Sequence, residues 1–281
     1  MQVIKTIREM QKWSMDRKKA GKTVAVVPTM GFLHEGHLSL IDAARANGAD
    51  AIVVTIFVNP IQFAPNEDFD SYPRDFEHDA ALLREKNVDA VFAPAVSEMY
   101  PAPVTCMVIE NKLSKGLCAK TRPTHFNGVT TVVAKLFNAT LPDIAVFGQK
   151  DGQQARVIKR MVRDLNFPIR IVISPLIREP DGLARSSRNK YLSEEEHRNA
   201  LSIFRGLSKL KEEIEGGRTD LAALLAELRA SIEASGGVVD YIEAVDAETL
   251  EPKTAIEGAM MFPVAVYFGK TRLIDNILVE R

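Results

Sequence analysis

The strongest constraint on this chain is a series of short apolar runs, each followed by a turn and a helical pattern. Thr23-Val24-Ala25-Val26-Val27 and Ala51-Ile52-Val53-Val54-Thr55-Ile56-Phe57-Val58 are apolar almost throughout, with no alternation between a wet and a dry face. Such runs suit strands covered on both sides, the condition of a parallel sheet. Between them, Leu38 to Arg45 carries apolar residues at helical spacing, and Asn47-Gly48 closes that segment. Strand, helix and strand form a βαβ unit, for which a right-handed crossover is expected. Val88 to Ala93, Asp143 to Phe147 and Ile169 to Ile173 repeat the strand signal, so the chain reads as α/β.

The turn after the first run is Pro28-Thr29-Met30-Gly31-Phe32-Leu33-His34-Glu35-Gly36-His37. A helix N-terminus presents unpaired N–H groups and the positive end of a dipole, and is a ready seat for phosphate. Gly36 allows close approach of the backbone, and His34 and His37 share a face if the helix has begun by His34. Two imidazoles then supply donors to one anion. Gly148-Gln149-Lys150-Asp151-Gly152-Gln153-Gln154 repeats strand, glycine, charged pair and helix after the run ending at Phe147. Arg178 to Lys190 places four cationic side chains and two serines beyond another strand, a composition suited to polyphosphate. Asn59 and Gln62 follow the second run, at the strand end where open α/β sheets bind ligands, and are candidates for substrate contact.

Composition narrows the function classes. The 36 basic and 37 acidic side chains leave a net charge of −1, so no global field favours nucleic acid or an anionic membrane. Cys106 and Cys118 have no metal-ligand spacing and read as reduced thiols. No stretch is apolar for the 18 or so residues of a membrane span, and the N-terminus has no secretory core, so a cytoplasmic location is expected. A helix is expected over residues 3 to 19, with Ile4, Ile7, Met10 and Trp13 on one face. Residues 64 to 74 read as a surface loop able to cover a site. Val129 to Phe137 reads as a buried helix, with strand as the alternative because of its β-branched content. From Ser193, whose hydroxyl stands three residues before Glu196 in a capping box, helices to about Ile214 and from Asp220 to Ala234 precede strands at 238–245, 259–268 and 272–279. The expected division is a Rossmann-like domain over 1–182 and a smaller C-terminal α+β lid domain over 183–281.

Taken together, PTMGFLHEGHLSL, TIFVNPIQF, RPTHFNGV, FGQKDGQQ, DGLARSSRNKYLS and RLIDN span the chain in order, and the set closely resembles the pantoate–β-alanine ligase family. That family falls in the nucleotidylyltransferase-like Rossmann superfamily. Its HIGH and KMSKS signatures are represented here by His34 to His37 and by Arg185 to Arg188. The resemblance implies an ATP-dependent ligase that joins pantoate to β-alanine through a pantoyl adenylate, releasing AMP and pyrophosphate, with Mg²⁺ carried on the ATP phosphates and a homodimeric assembly. It implies an ATP site of Met30, Gly31, Phe32, Leu33, His34, Glu35, Gly36, His37, Gly148, Gln149, Lys150, Asp151, Ile177, Arg185, Ser186, Ser187 and Arg188. Of these, His34, His37, Lys150 and Arg188 are implied as catalytic, with His37 the candidate proton donor and Asp151 an acceptor for ribose hydroxyls. Met30, Gln62 and Gln154 would line the pantoate pocket, Gln62 would also meet β-alanine, and Arg122 and His125 would support them. Three residues depart from the family pattern: Thr124 where glycine is usual, Gly152 where an aromatic or alanine is usual, and Arg185 where methionine or leucine is usual. Arg185 is expected to stack on adenine or pair with phosphate. The rival readings are another nucleotidylyl transfer, which would want a cationic acceptor pocket in place of Gln62 and Gln154, and a nucleotide sensor without turnover.

Overall fold

A computed structural model describes residues 1–64, 67 and 69–281. Pro65, Asn66 and Asp68, part of the loop expected over 64–74, lie outside the described residues. In order, the first half contains β1 (Gln2–Ile4), α1 (Ile7–Lys19), β2 (Val24–Thr29), α2 (Glu35–Ala46), β3 (Ala51–Ile56), α3 (Phe76–Glu85), β4 (Ala90–Phe92), α4 (Val96–Met99), α5 (His125–Thr140), β5 (Ile144–Gly148), α6 (Gly152–Asp164) and β6 (Arg170–Ser174). The second half contains α7 (Glu194–Glu215), α8 (Leu221–Ala234), β7 (Val238–Ile242), β8 (Val245–Asp246), β9 (Ala259–Phe268) and β10 (Thr271–Glu280).

The first half is built on a six-stranded sheet in the order β1-β4-β3-β2-β5-β6, parallel at every pairing. The chain moves outward from β2 through β3 to β4, then returns to place β5 on the other side of β2. The strand order therefore reverses between β2 and β5, and ligands of open α/β sheets bind beyond the carboxyl ends of strands at such a point. Val24 to Val27 and Ala51 to Val54 are wholly buried, as runs without alternation require. Helix α5 confirms the helical reading of Val129 to Phe137. It lies within the core, where burial on all sides suits β-branched residues that have low intrinsic helix propensity.

The expected first helix is shorter than the sequence pattern suggests. Gln2–Ile4 is a strand paired with Ala90–Phe92, and the helix starts only after Thr6, whose hydroxyl caps the N–H of Glu9. Ile4 is buried in that strand rather than on the helix face; its spacing to Ile7 and Met10 mimics a helical stripe across the cap.

The second half pairs β10, β9 and β7 antiparallel, with β8 on β9. Helices α7 and α8 share a core with this sheet that includes Leu183, Leu207, Leu228, Phe262 and Phe268. The capping box read from Ser193 and Glu196 is present in both directions. Among the described residues, no helix is long and apolar enough to cross a membrane.

Candidate active site

The turn after β2 is held by groups close to it in space. Gly31 and Phe32 have φ of 84° and 52°, a left-handed pair that swings the chain back toward the sheet. A Cβ on Gly31 would lie 3.0 Å from both Asp79 Oδ2 and Ile56 Cγ2, so a side chain would be both strained and crowded there. The N–H groups of Phe32 and Leu33 donate to the two carboxylate oxygens of Asp79 on α3, at 2.8 and 2.7 Å. Asp79 is buried, and that burial raises its pKa while the two backbone N–H groups oppose the shift.

Helix α2 begins at Glu35, making His34 its N-cap rather than its first helical residue. His34 Nδ1 accepts from the Gly36 N–H at 3.1 Å, and His37 Nδ1 accepts from the His34 N–H at 3.3 Å. This is a capping box made of two imidazoles. Their ring centroids are 4.1 Å apart. With Nδ1 accepting in both rings, each neutral imidazole carries its proton on Nε2. Burial, followed by the nearby Lys150 and Arg185 charges, pushes His34 down to about 4. Burial, then His34 and Lys150, holds His37 well below the usual histidine range. Both rings are therefore neutral donors near pH 7.

The turn after β5 is a single 3₁₀ turn, Gln149–Asp151, from which α6 continues. Its Lys150 and Asp151 line the cleft. The basic loop approaches from the other side. Ser186 caps another 3₁₀ turn by accepting from the Arg188 N–H, and Lys190 Nζ lies 3.9 Å over the Phe32 ring. Arg185 pairs with Glu35 at 2.6 Å and Glu179 at 3.3 Å, joining the loop to the first turn of α2. The two motifs resembling HIGH and KMSKS thus touch each other.

A cavity of about 200 Å³ lies between them. Met30, His34, Gly36, His37, Gln62, Gly148, Lys150, Asp151, Gln154, Ile177, Arg185, Ser186, Ser187 and Arg188 all line it. Gly31, Phe32, Leu33, Glu35 and Gln149, also expected at ATP, stand outside this lining. The first three shape the turn, Glu35 faces solvent beside Arg185, and Gln149 is buried behind Lys150. One wall is apolar, formed by Val129, Val132, Val133, Leu136 and Phe147. Asp151 is the only carboxylate among the described lining residues. The cavity adjoins a groove of about 1120 Å³ that runs to β9 and β10.

Asn59, read as a substrate contact, borders the cavity but is buried at 1% exposure, and its amide works behind Gln62. Tyr100 Oη donates to Asn59 Oδ1 at 2.8 Å, and Asn59 Nδ2 donates to Gln62 Oε1 at 3.0 Å. The relay leaves the Gln62 NH₂ facing Met30 Sδ, 3.1 Å away, and the cavity. Helix α5 fixes the same turn from below. His125 Nδ1 lies 2.9 Å from the Gln62 carbonyl, and a Cβ on Gly128 would fall 2.5 Å from Ile61 O and Gln62 Cα. His125 is pushed down to about 4 by burial and then Arg122, while Arg122 itself is engaged by Glu67 through two bonds of 2.7 and 2.6 Å. Thr124 sits at φ −98°, ψ −8°, so it needs no glycine freedom.

Sequence reading missed Asp79, Tyr100 and Asn276. The first is an acid in a helix that is otherwise amphipathic and charged, and its burial alone distinguishes it from Glu77 and Asp75. Asn276 lay within the RLIDN motif, but nothing local marks its partner.

Known proteins share this architecture over their whole length. The family model for pantoate-beta-alanine ligase matches residues 2–278. Pantothenate synthetase of Thermotoga neapolitana is 50% identical over 280 residues, covering 99% of this chain and 100% of that protein. The Thermosipho melanesiensis protein of the same name is 52% identical, covering 99% of each chain. The crystal structure of pantothenate synthetase from Thermus thermophilus superposes with a TM-score of 0.92 at 42% identity, covering 99% of both chains. A Francisella tularensis pantoate-beta-alanine ligase, solved as a complex with β-γ ATP and β-alanine, gives 0.80 at 34% identity, covering 99% of this chain and 97% of that one. With its strand order, its paired motifs and this agreement along the whole sequence, the chain belongs to the pantoate–β-alanine ligase family, whose members use ATP to condense pantoate with β-alanine.

Proposed function

We propose that the cleft between β2, β5 and the basic loop carries out this condensation in two steps. A pantoate carboxylate oxygen attacks the α-phosphorus of ATP, the bond to the β-phosphate oxygen breaks, and pyrophosphate leaves. The β-alanine amine then attacks the acyl carbon of pantoyl adenylate, the acyl C–O bond breaks, AMP leaves, and the amine nitrogen gives up a proton. The observation that carries this reading is the convergence of neutral His34 and His37, Lys150 and the Ser186–Arg188 turn on one cavity with an apolar wall. Transfer at phosphorus needs positioning and charge neutralisation more than a protein nucleophile.

The residues have distinct tasks in this scheme. The Nε2–H groups of His34 and His37 donate to phosphate oxygens, and approaching phosphate charge raises the His37 pKa toward proton donation. Lys150 neutralises charge at the α-phosphate. Ser186, Ser187 and Arg188 hold the outer phosphates, and Asp151 accepts from ribose. The geminal methyls of pantoate suit the Val129–Val133 wall, and its carboxylate and hydroxyls suit the amides of Gln62 and Gln154. The Gln62 NH₂, aimed by Asn59, also serves the β-alanine side. The donor set fits Mg²⁺ carried by phosphate oxygens, since one carboxylate is too few for an all-protein cage. Bound there, the ion would neutralise phosphate charge. Glu179, Asp181 and His197, the one three-residue group of possible metal ligands among the described residues, are not part of the cavity lining.

Residues 1–182 and 183–281 act as two domains in this reading, the second closing over ATP in a cytoplasmic homodimer. Exposed Val104, Met107 and Ile109 offer an apolar edge for the second copy. Small-angle scattering reads both expectations: a monomer mass removes the dimer, and a profile unchanged by ATP with pantoate removes the closure.

The reaction itself is tested by isotope exchange between pyrophosphate and ATP with Mg²⁺ but without β-alanine. Exchange that requires pantoate is expected. ATP binding without pantoate-dependent exchange would overturn the adenylate step and favour nucleotidylyl transfer to another acceptor.

A further inference from the structure

Beneath Lys150 runs a chain of side-chain hydrogen bonds that stands outside the lining of the cavity of about 200 Å³, with Asn276 alone bordering the adjoining groove. Arg156 on α6 donates through Nε to the Ala247 carbonyl at 2.8 Å and through Nη1 to Gln149 Oε1 at 2.7 Å. Gln149 Nε2 donates to Asn276 Oδ1 at 2.6 Å. Asn276 Nδ2 returns to the turn, donating to the carbonyls of Gln149 at 2.9 Å and Lys150 at 3.0 Å. All three side chains are buried: Arg156 and Asn276 are 4% exposed and Gln149 is 9% exposed. Every polar atom of the Asn276 side chain is used, so the amide has one orientation.

We propose that Asn276, on β10 of the second half, is a positioning residue for Lys150; the proposal rests on Lys150 being a phosphate-neutralising group. Its two donors bind the peptide oxygens on either side of the Lys150 Cα and so fix both peptide planes, and with them the direction of the lysine stem. Gly152 makes this approach possible: a Cβ there would lie 3.3 Å from Asn276 Nδ2 and 2.8 Å from Met261 Sδ. The preceding residue, Asp275, binds Arg178 through two bonds of 2.6 and 3.0 Å, at the base of the segment that leads to Ser186 and Arg188. One dipeptide of β10 thereby references both the lysine turn and the basic loop to the same strand.

The test is a double-mutant cycle on pantoate-dependent pyrophosphate exchange, using the full chain with Asn276→Ala, Lys150→Ala and the pair, each assayed below its own melting midpoint. Asn276→Ala is expected to lower the exchange kcat by about 10²-fold, the scale of a misplaced group. In the Lys150→Ala background the same change should cost little more, because a residue acting through the lysine loses its target. An Asn276→Ala enzyme with wild-type kcat, or losses that multiply independently, would overturn the proposal. Wild-type exchange by Lys150→Ala would overturn the role given to the lysine instead. Should Asn276→Ala fail to fold, Gln149→Met removes the amide linking Asn276 to Arg156, and the same cycle applies with the same criteria.

Discussion

The two turns at the centre of the sheet, after β2 and after β5, have the same plan and different anchors. The backbone of the first is held from within its own half: Asp79 takes two of its N–H groups, and the two histidines cap the helix that follows. The second is held by Asn276 from the other half of the molecule. A displacement of β10 would therefore reach Lys150 directly and leave the cap of His34 and His37 intact. In the proposed scheme, one side of the phosphate site is referenced to the parallel sheet, and the other is tied to the half proposed to close over ATP.

This contrast can be broken at its stronger side first. Asp79→Ala strips one buried and one part-buried N–H group of their acceptor, at up to about 1–3 kcal/mol each. Denaturant unfolding should show a loss of that order, and a loss within error of zero would mean that the first turn does not depend on this anchor. A smaller effect, taken ring by ring, comes from acid. His34 and His125 are pushed down to about 4 and His37 well below its ordinary value, so between pH 6.5 and 4 the unfolded chain binds more protons than the folded one. Stability from these rings is complete above pH 6.5 and falls as the pH drops through that window, by at most about 1.4 kcal/mol per pH unit for each ring. Asp79, raised by burial, works in the opposite direction, but only in the carboxylate range. Thermal melts from pH 7 to pH 5 should show the decline. His34→Asn, which can still cap the helix, should make it shallower; an unchanged slope would remove His34 from the account.

How legible each turn was in the sequence follows from the same difference. His34 to His37 could be read because strand, glycine turn and cap lie within a dozen residues, and local chemistry specifies them. The lysine turn was visible as a motif, but its anchor sits 127 residues away, and no spacing rule connects an asparagine in a β-strand to a carbonyl in a distant turn. Asp79 is 47 residues from Phe32 and looks like any acid of a helical first turn. Asn59 was placed at the right strand end, but only packing against Tyr100 and Gly128 shows that its amide is spent on aiming Gln62. Gln149 was drawn into the ATP set by its neighbours in the motif, whereas burial assigns its side chain to the support beneath Lys150. The first strand was missed because three residues ending in a cap carry too little pattern to separate them from the helix beyond.

That first strand also bears on how the molecule is made. Gln2, Val3 and Ile4 pair only with Ala90, Val91 and Phe92, so during vectorial synthesis they must wait for a partner almost ninety residues downstream. At ribosomal rates of about 5–20 residues per second the wait is on the order of ten seconds. For that interval these residues have no ladder to join, and the edge of the six-stranded sheet is completed by a segment made long before its partner.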